Sequence, residues 1–412
     1  MSVPSSSESV EEFRRRAAAW MVDHLPSWDD PVADGHELQQ RLFDHGFAGI
    51  AYPREYGGAG LTIEHHKAFV DATTEARRQI PNGSPYRVSI GMLGPTLLEH
   101  GSHEAKLRFL PPLLRGDEIW IQLLSEPGGG SDMAGVTTRL MRDGDQYVLN
   151  GAKMWSSGAL RAHFGLCLCR SDWSLPKHGG LSMIAVPLKD VEGLTVRQTR
   201  AVDGNAGEFC EEFFDDVVLP VENLIGDEND GWSVAQTLLR HERNAAGDIG
   251  FGYGLLGGVD GRGGGRRFGA PTVDVLIAGA MRSGSTEATA HLLAEAYIES
   301  VVGPLTNARI MTGLGAGTHT GHWGSLSKLQ SSSIYHAATR IGLAVDGADG
   351  VIWDGDDVQT DNVGTVWLGA RRGTIAGGTS EIQRNIISER LLGLPREPAP
   401  DRGVPFGEVV RR

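Results

Sequence analysis

Three cysteines in 412 residues are too few for a disulfide framework. Cys167, Cys169 and Cys210 point instead to a reducing compartment, and a cytoplasmic location is the expectation. Positive charge is also scarce. The chain carries 38 Lys and Arg against 52 Asp and Glu, a formal charge of −14. A general nucleic-acid binder needs a basic footprint to neutralise phosphates, so no nucleic-acid partner is expected. No apolar run reaches the length of a membrane span. The Ser-rich, acidic stretch 1–10 lacks the basic and then apolar regions of a signal peptide.

What is present is a hydrophobic share of 40%, which excludes wholesale disorder. The length suggests two or three domains, each with room for a core. Glycine is abundant, with 57 residues, about twice the usual share. Much of the excess lies within 247–269 without a repeat period, so it reads as loop rather than fibre.

The pattern along the chain is helix, then strand, then helix. Ser9 and Glu12 have capping-box spacing, and Val10, Phe13, Ala17, Trp20 and Met21 follow at helical intervals. Leu38, Leu42 and Phe43 suggest a second helix, and 63–76 and 106–114 two more. From Ile119 to Gly226 the signals are those of strands and hairpins. Asp143-Gly144 and Asn150-Gly151 both read as tight hairpin turns, because these pairs tolerate positive φ. Residues 164–169 and 181–186 are apolar runs of strand length. Helical periodicity returns with Trp232, Val234, Leu238 and Leu239, and continues through 273–302, 326–343 and 382–392. The expected domains are therefore 1–120 (helical), 121–226 (β), 227–395 (helical) and a poorly ordered tail, 396–412.

Several motifs have bland explanations. Gly252-Tyr253-Gly254-Leu255-Leu256-Gly257 fits a dinucleotide-binding pattern but lacks a preceding strand. Residues 279–286 have P-loop spacing, yet Ser285 stands where the phosphate-binding Lys belongs. His319 and His322 lack an evident third ligand, so no metal is expected. Cys167 and Cys169 alternate on one strand face and read as small core residues.

The run Leu124-Ser125-Glu126-Pro127-Gly128-Gly129-Gly130-Ser131-Asp132 is more informative. Its glycines let the backbone turn sharply, exposing amides and the Ser125 and Ser131 hydroxyls to a polar, anionic ligand. The alternative is a plain surface turn. Further on, Asn150-Gly151-Ala152-Lys153-Met154-Trp155-Ser156-Ser157-Gly158 places an indole and a hydroxyl on the next hairpin. Such a Trp can cover a planar ring while Ser157 hydrogen-bonds its edge.

These two blocks, with 214–226 and Gly378-Thr379-Ser380-Glu381-Ile382-Gln383-Arg384-Asn385, resemble the acyl-CoA dehydrogenase family. Each block is modestly specific; four in this order and spacing are strong. The resemblance implies an α+β multidomain fold, with an N-terminal helical domain, a middle β-barrel or sandwich-like domain and a C-terminal four-helix bundle. It implies FAD bound between the β-domain and the C-terminal helices, with part of the site supplied by a neighbouring subunit. Gln122, Leu124, Ser125, Gly130, Ser131, Trp155 and Ser157 would contact the flavin side, with Thr379 and Glu381 from the last motif. Arg266 and Phe268 match a segment that serves FAD across a subunit boundary.

The family reaction removes a proton from the α-carbon of an acyl thioester and a hydride from the β-carbon, so it needs a carboxylate base. Many members carry it just before the Gly-Thr of the last motif, where this chain has Gly377, with only a backbone amide to offer the thioester oxygen. A smaller group carries it on a C-terminal-domain helix before an Arg, which here is Glu242-Arg243. The bland reading of that pair is a solvated Glu among basic neighbours. Gly265 and Leu276 stand where members have an Arg and a Gln reaching the neighbour's FAD, and the Gln-rich Gly-Gly segment further on is replaced by 343–347. The resemblance thus implies an FAD-dependent acyl-CoA dehydrogenase forming a trans-2-enoyl-CoA and passing electrons to an electron-transfer flavoprotein. It would work as a homotetramer or as a hetero-oligomer with a related subunit. The alternatives are a flavin oxidase or monooxygenase on the same fold, and a non-catalytic partner subunit.

Overall fold

The computed structural model describes residues 8–31, 33–80, 86, 88–204, 206–246, 266–267, 270–271, 273–283, 286–352 and 363–409. The chain divides into two compact units. The first holds 1–199, 208–260 and 399–412; the second holds 200–207 and 261–398.

Unit one opens with α1 (Val10–His24), where the Glu12 amide donates to Ser9 and the Ser9 amide to the Glu12 carboxylate. Two donors that a helix start leaves orphaned are thereby satisfied. Phe13, Ala17 and Met21 recur on one face and are buried. They meet residues of α2 (Gly35–Asp44), α3 (Ile63–Glu75), α4 (Gly94–His100) and α5 (His103–Arg115) in one core that includes Leu42, Phe69, Leu97 and Leu110.

The β region forms a seven-stranded sheet: β1 (Trp120–Leu123), β2 (Arg139–Asp143), β3 (Gln146–Ser157), β4 (Phe164–Arg170), β5 (Leu181–Pro187), β6 (Leu194–Arg200) and β7 (Ala206–Pro220). The order is β1-β4-β2-β3-β7-β6, with β5 also on β4. β4 runs parallel to β1 and antiparallel to β5, and its ladder with β2 has the single register pair Arg139↔Arg170, where the sheet curls. Side chains alternate between its faces. Leu166 and Leu168 join the helical core, while Cys167 and Cys169 join a second core with Leu149, Ile184 and Phe214. Both cysteines are free, buried core residues, as their alternation predicts.

Two expectations are corrected. Asn150-Gly151 is not a hairpin turn. β3 runs straight through it, and the register against β7 slips there, with Gly151 at φ 143. Asn150 instead exchanges hydrogen bonds with Asp216 of β7, at 2.8 and 2.9 Å. The same tolerance of unusual φ that suits a hairpin also suits a β-bulge. The Asp143-Gly144 turn does form, pairing Asp143 with Gln146. The tail is not loose either. Phe406 is buried, the Arg170 guanidinium lies 3.8 Å from its ring centre, and the Phe406 and Gly407 amides each donate to the 173–175 segment at 2.9 Å.

α6 (Gly231–Ala246) completes unit one and buries Val234, Ala235 and Leu238 in the helical core. Unit two contains the short strands β8 (Arg266–Arg267) and β9 (Ala270–Pro271), then α7 (Val273–Ser283), α8 (Glu287–Gly315), α9 (Gly324–Asp346), α10 (Val363–Gly373) and α11 (Ser380–Ile386). Leu276 of α7, Ala296 of α8, Ala338 and Ile341 of α9 and Val366 of α10 share one core, the four-helix arrangement expected. His319 stacks on Trp323 at 3.9 Å, and no metal-ligand cluster occurs among the described residues. Nor is any described helix long and apolar enough to cross a membrane. The 252–257 glycine motif, and Gly284 and Ser285 of the P-loop-like run, lie outside the described residues.

Candidate active site

The glycine loop leaves β1 at Leu123 and is pinned from below. Glu126 and Gly129 bond to each other in both directions at 3.0 Å, closing the turn around Pro127 and Gly128. The Glu126 carboxylate accepts from the Thr137 amide at 2.7 Å, its hydroxyl at 2.9 Å and the Thr138 amide at 2.8 Å. Lys153 of β3 completes the set at 2.9 Å and also donates to the Leu124 carbonyl at 3.1 Å. Burial alone would raise the Glu126 pKa, but Lys153 and the Thr137 and Thr138 donors outweigh it and hold the carboxyl below its ordinary value.

β3 is locked to the same loop through the Met154 amide, which donates to the Ser125 carbonyl at 3.0 Å. The next residue is irregular. Met154 pairs with Glu211 but Ser156 with Cys210, so Trp155 is the extra residue of a bulge, with φ 66. A left-handed conformation costs a non-glycine residue about 1–2 kcal/mol. Its effect is to turn Trp155 outward, 53% exposed, edge-on to Phe209 at 5.8 Å. Ser157 follows, half-buried. Leu124, Ser125, Trp155 and Ser157 are thus brought together by bonds that cross between loop and strand.

Polar groups here are left ready for a ligand. The Gln122 Oε1 atom is buried with no hydrogen-bond partner. Gly130 and Ser131 sit exposed on the loop, where a Cβ at Gly130 would meet nothing nearer than the Ser125 hydroxyl at 3.8 Å. These features fit a planar, hydrogen-bonding ring system with an anionic tail, the character of a flavin nucleotide.

Glu242 is half-buried on α6, in the same unit as the loop. The helix is fixed by neighbouring residues. His241 and Arg240 bond the Glu99 carboxylate of α4 at 2.7 and 2.6 Å, and His100 bonds Thr237 at 2.9 Å. Burial lowers the His241 pKa against the opposing pull of Glu99. Arg243 follows on the helix, and its side chain lies outside the described residues.

In unit two, Gly377 and Gly378 have φ 68 and 89, and the Gln383 amide donates to the Gly377 carbonyl at 2.9 Å. Thr379 caps α11, accepting from the Ile382 amide at 3.2 Å. Glu381 is exposed, 3.5 Å from Arg384. Arg266 lies in β8, while Phe268 and Gly265 fall outside the described residues. Leu276 is 3% exposed in its own bundle core. Sequence reasoning missed the paired groups that support the site, the buried Glu126 with Lys153 and the exposed Glu99 with the buried His241. Both acids lie well apart from their partners in sequence, and no local pattern pairs them.

The chain matches the acyl-CoA dehydrogenase N-terminal domain over residues 7–117, the middle domain over 122–217 and the C-terminal domain over 280–392. It is 32% identical over 405 residues to acyl-CoA dehydrogenase IpdE1 of Mycobacterium tuberculosis, spanning 95% of this chain and 99% of that one. Among solved structures it is similar to the Tcur3481-Tcur3483 steroid ACAD, at 26% identity and TM-score 0.69 over 96% of this chain and 100% of that one. It is also similar to the ChsE4-ChsE5 complex from Mycobacterium tuberculosis, at 27% identity and TM-score 0.65 over the same shares. The chain therefore belongs to the acyl-CoA dehydrogenase family, and it is an oxidoreductase acting on acyl-CoA.

Proposed function

We propose that the chain binds FAD and oxidises the Cα–Cβ bond of an acyl-CoA to the trans-2-enoyl-CoA. The observation that carries this reading is the outward-turned Trp155, held in a strained bulge beside a loop of unengaged hydroxyls and the orphan Gln122 Oε1. Bound FAD would supply the hydride acceptor for the β-hydrogen. Trp155 would cover the ring system and exclude water. Gln122, Leu124, Ser125, Gly130, Ser131 and Ser157 would bind its edges and tail, and Thr379, Glu381, Arg266 and Phe268 would supply contacts from the C-terminal part. Glu242 would accept the α-proton at its carboxylate, with Arg243 positioning it or the substrate. The Gly377 amide would hold the thioester oxygen. Electrons would then leave to an electron-transfer flavoprotein.

Similarity to the steroid ACAD supports a bulky, steroid-derived acyl group. The test is anaerobic bleaching of the flavin by acyl-CoAs of graded size. Bleaching by straight-chain thioesters but not by steroid-derived ones would overturn the substrate class, and bleaching by none would overturn the dehydrogenase.

We further propose that the working form is a hetero-oligomer with a related subunit. Leu276 occupies its own core instead of reaching outward, and the similar ChsE4-ChsE5 structure is a complex of two named components. α8 carries an exposed apolar stripe of Tyr297, Ile298, Val301, Val302 and Leu305 that suits a subunit contact. The missing Arg at Gly265 removes a charge-assisted contact worth about 1.5–3 kcal/mol. The chain purified alone should hold well under one FAD per polypeptide. A fully loaded, fully active homotetramer would overturn the partner.

A further inference from the structure

On β7 the residues facing the β-domain core are Cys210, Glu212 and Phe214. A carboxylate in that apolar row is anomalous, and Glu212 is wholly buried there. It is not simply the counter-ion of Lys153, its partner across the strands. The Lys153 ammonium is directed at Leu124 and Glu126 instead. One Glu212 oxygen accepts the Ser156 hydroxyl in a short hydrogen bond, and the other has no partner.

Ser156 is the residue immediately after the Trp155 bulge. In an unbroken strand, side chains alternate, so Lys153 and Trp155 would face the core together and Ser156 would face out. The bulge reverses this. Ser156 is 4% exposed and Trp155 is 53% exposed. The Ser156–Glu212 bond spans the register slip and favours the bulged pairing over the regular one.

We infer that Glu212 is a positioning residue, which holds Ser156 inward and thereby keeps Trp155 and Ser157 turned towards the flavin. The inference rests on the proposed FAD site, but the placement of Trp155 is measurable without FAD. A carboxylate holds the Ser156 hydroxyl more strongly than a carboxylic acid does. Burial raises the Glu212 pKa to about 7 against the opposing Ser156 bond. The other ionisable groups around it are Lys153 on β3, Glu211 and Cys210 on β7, and Glu126 beyond Lys153.

The experiment compares wild type, Glu212→Val, Glu212→Gln and Ser156→Ala. Trp155 is read in FAD-free protein as the difference in acrylamide quenching with and without Trp155→Phe. FAD affinity is read by titration. Glu212→Val and Ser156→Ala are expected to protect Trp155 from acrylamide and to weaken FAD by about tenfold or more. Glu212→Gln keeps an acceptor for Ser156 and should restore both readouts. Wild type should bind FAD more tightly at pH 8 than at pH 6, and Glu212→Gln should lose that difference. Unchanged quenching and affinity in Glu212→Val and Ser156→Ala would overturn the inference. If Glu212→Val does not fold, Ser156→Ala decides. If wild type binds no FAD, the flavin reading fails and the quenching alone decides the role of Glu212.

Discussion

Lys153 and Glu126 form an ion pair at 2.9 Å with both side chains inside the protein, 0% and 7% exposed. One residue stands on β3 and the other in the glycine loop, so the pair joins the two pieces that carry Ser125, Trp155 and Ser157. Attraction between buried charges offsets a large desolvation cost only while both partners remain.

Removing one partner should therefore be costly. Lys153→Met leaves a carboxylate buried without its cation, and a loss of about 3–5 kcal/mol is expected in urea unfolding. The pH dependence supports the same test. The Glu126 carboxyl is held below its ordinary value of 4.5, so its stabilisation is present above that value and is lost as pH falls through the lowered one. Lys153→Met should flatten or reverse that acid limb. A variant as stable as wild type, with an unchanged acid limb, would mean the pair contributes nothing net.

Glu242→Gln keeps the size of the side chain and removes the base. Reduction of the flavin by substrate should slow by about two orders of magnitude or more, with FAD content unchanged. Rapid-mixing absorbance under anaerobic conditions measures it. Near-normal reduction would return Glu242 to the bland reading of a polar helix residue.

The docked tail makes a separate prediction. Phe406 is 4% exposed, under the Arg170 guanidinium and beside Trp173 at 5.4 Å. Arg170 in turn donates to the Ala134 carbonyl at 2.6 Å, just beyond the glycine loop. Phe406→Ala should cost about 3 kcal/mol, the scale of a truncated buried aromatic. Denaturant melts of the variant and of a chain ending at Pro398 should agree. A loss under about 0.5 kcal/mol would match an ordinary surface substitution and so a tail that only rests on the surface.

That tail shows where the sequence stops being readable. The order of helix, strand and helix was legible because α1 and α6 carry a helical period in consecutive residues, and β4 is a continuous apolar run of strand length. Ser9 and Glu12 announced a cap because the capping partners lie three residues apart. Phe406 is a single aromatic in a Pro- and charge-rich stretch, and its burial depends on Arg170, far away in the chain. Asn150-Gly151 was misread because the pair reports a permitted φ and not which turn or bulge uses it. The blocks around Ser125 and Trp155 were legible by resemblance. Glu126, Lys153, Ser156 and Glu212, which hold those blocks in place, were not, since pairing across strands depends on register.

Glu212 supplies the last prediction, on stability rather than binding. Burial raises its pKa from 4.5 to about 7, with Ser156 opposing. A raised folded-state value means the folded protein binds the proton more tightly than the unfolded chain does. The stability from that proton is fully present below about 4.5 and is lost as pH rises through about 7. One pKa unit corresponds to about 1.4 kcal/mol, so the full effect is on the order of 3 kcal/mol. Glu212→Gln is neutral at every pH and keeps the Ser156 contact. Relative to wild type it should gain roughly 2–3 kcal/mol between pH 5 and pH 8, spread from pH 5 to about 7 and levelling off beyond. Urea unfolding of both proteins at each pH measures the difference. Curves that stay parallel across the range would show that Glu212 does not change its charge there.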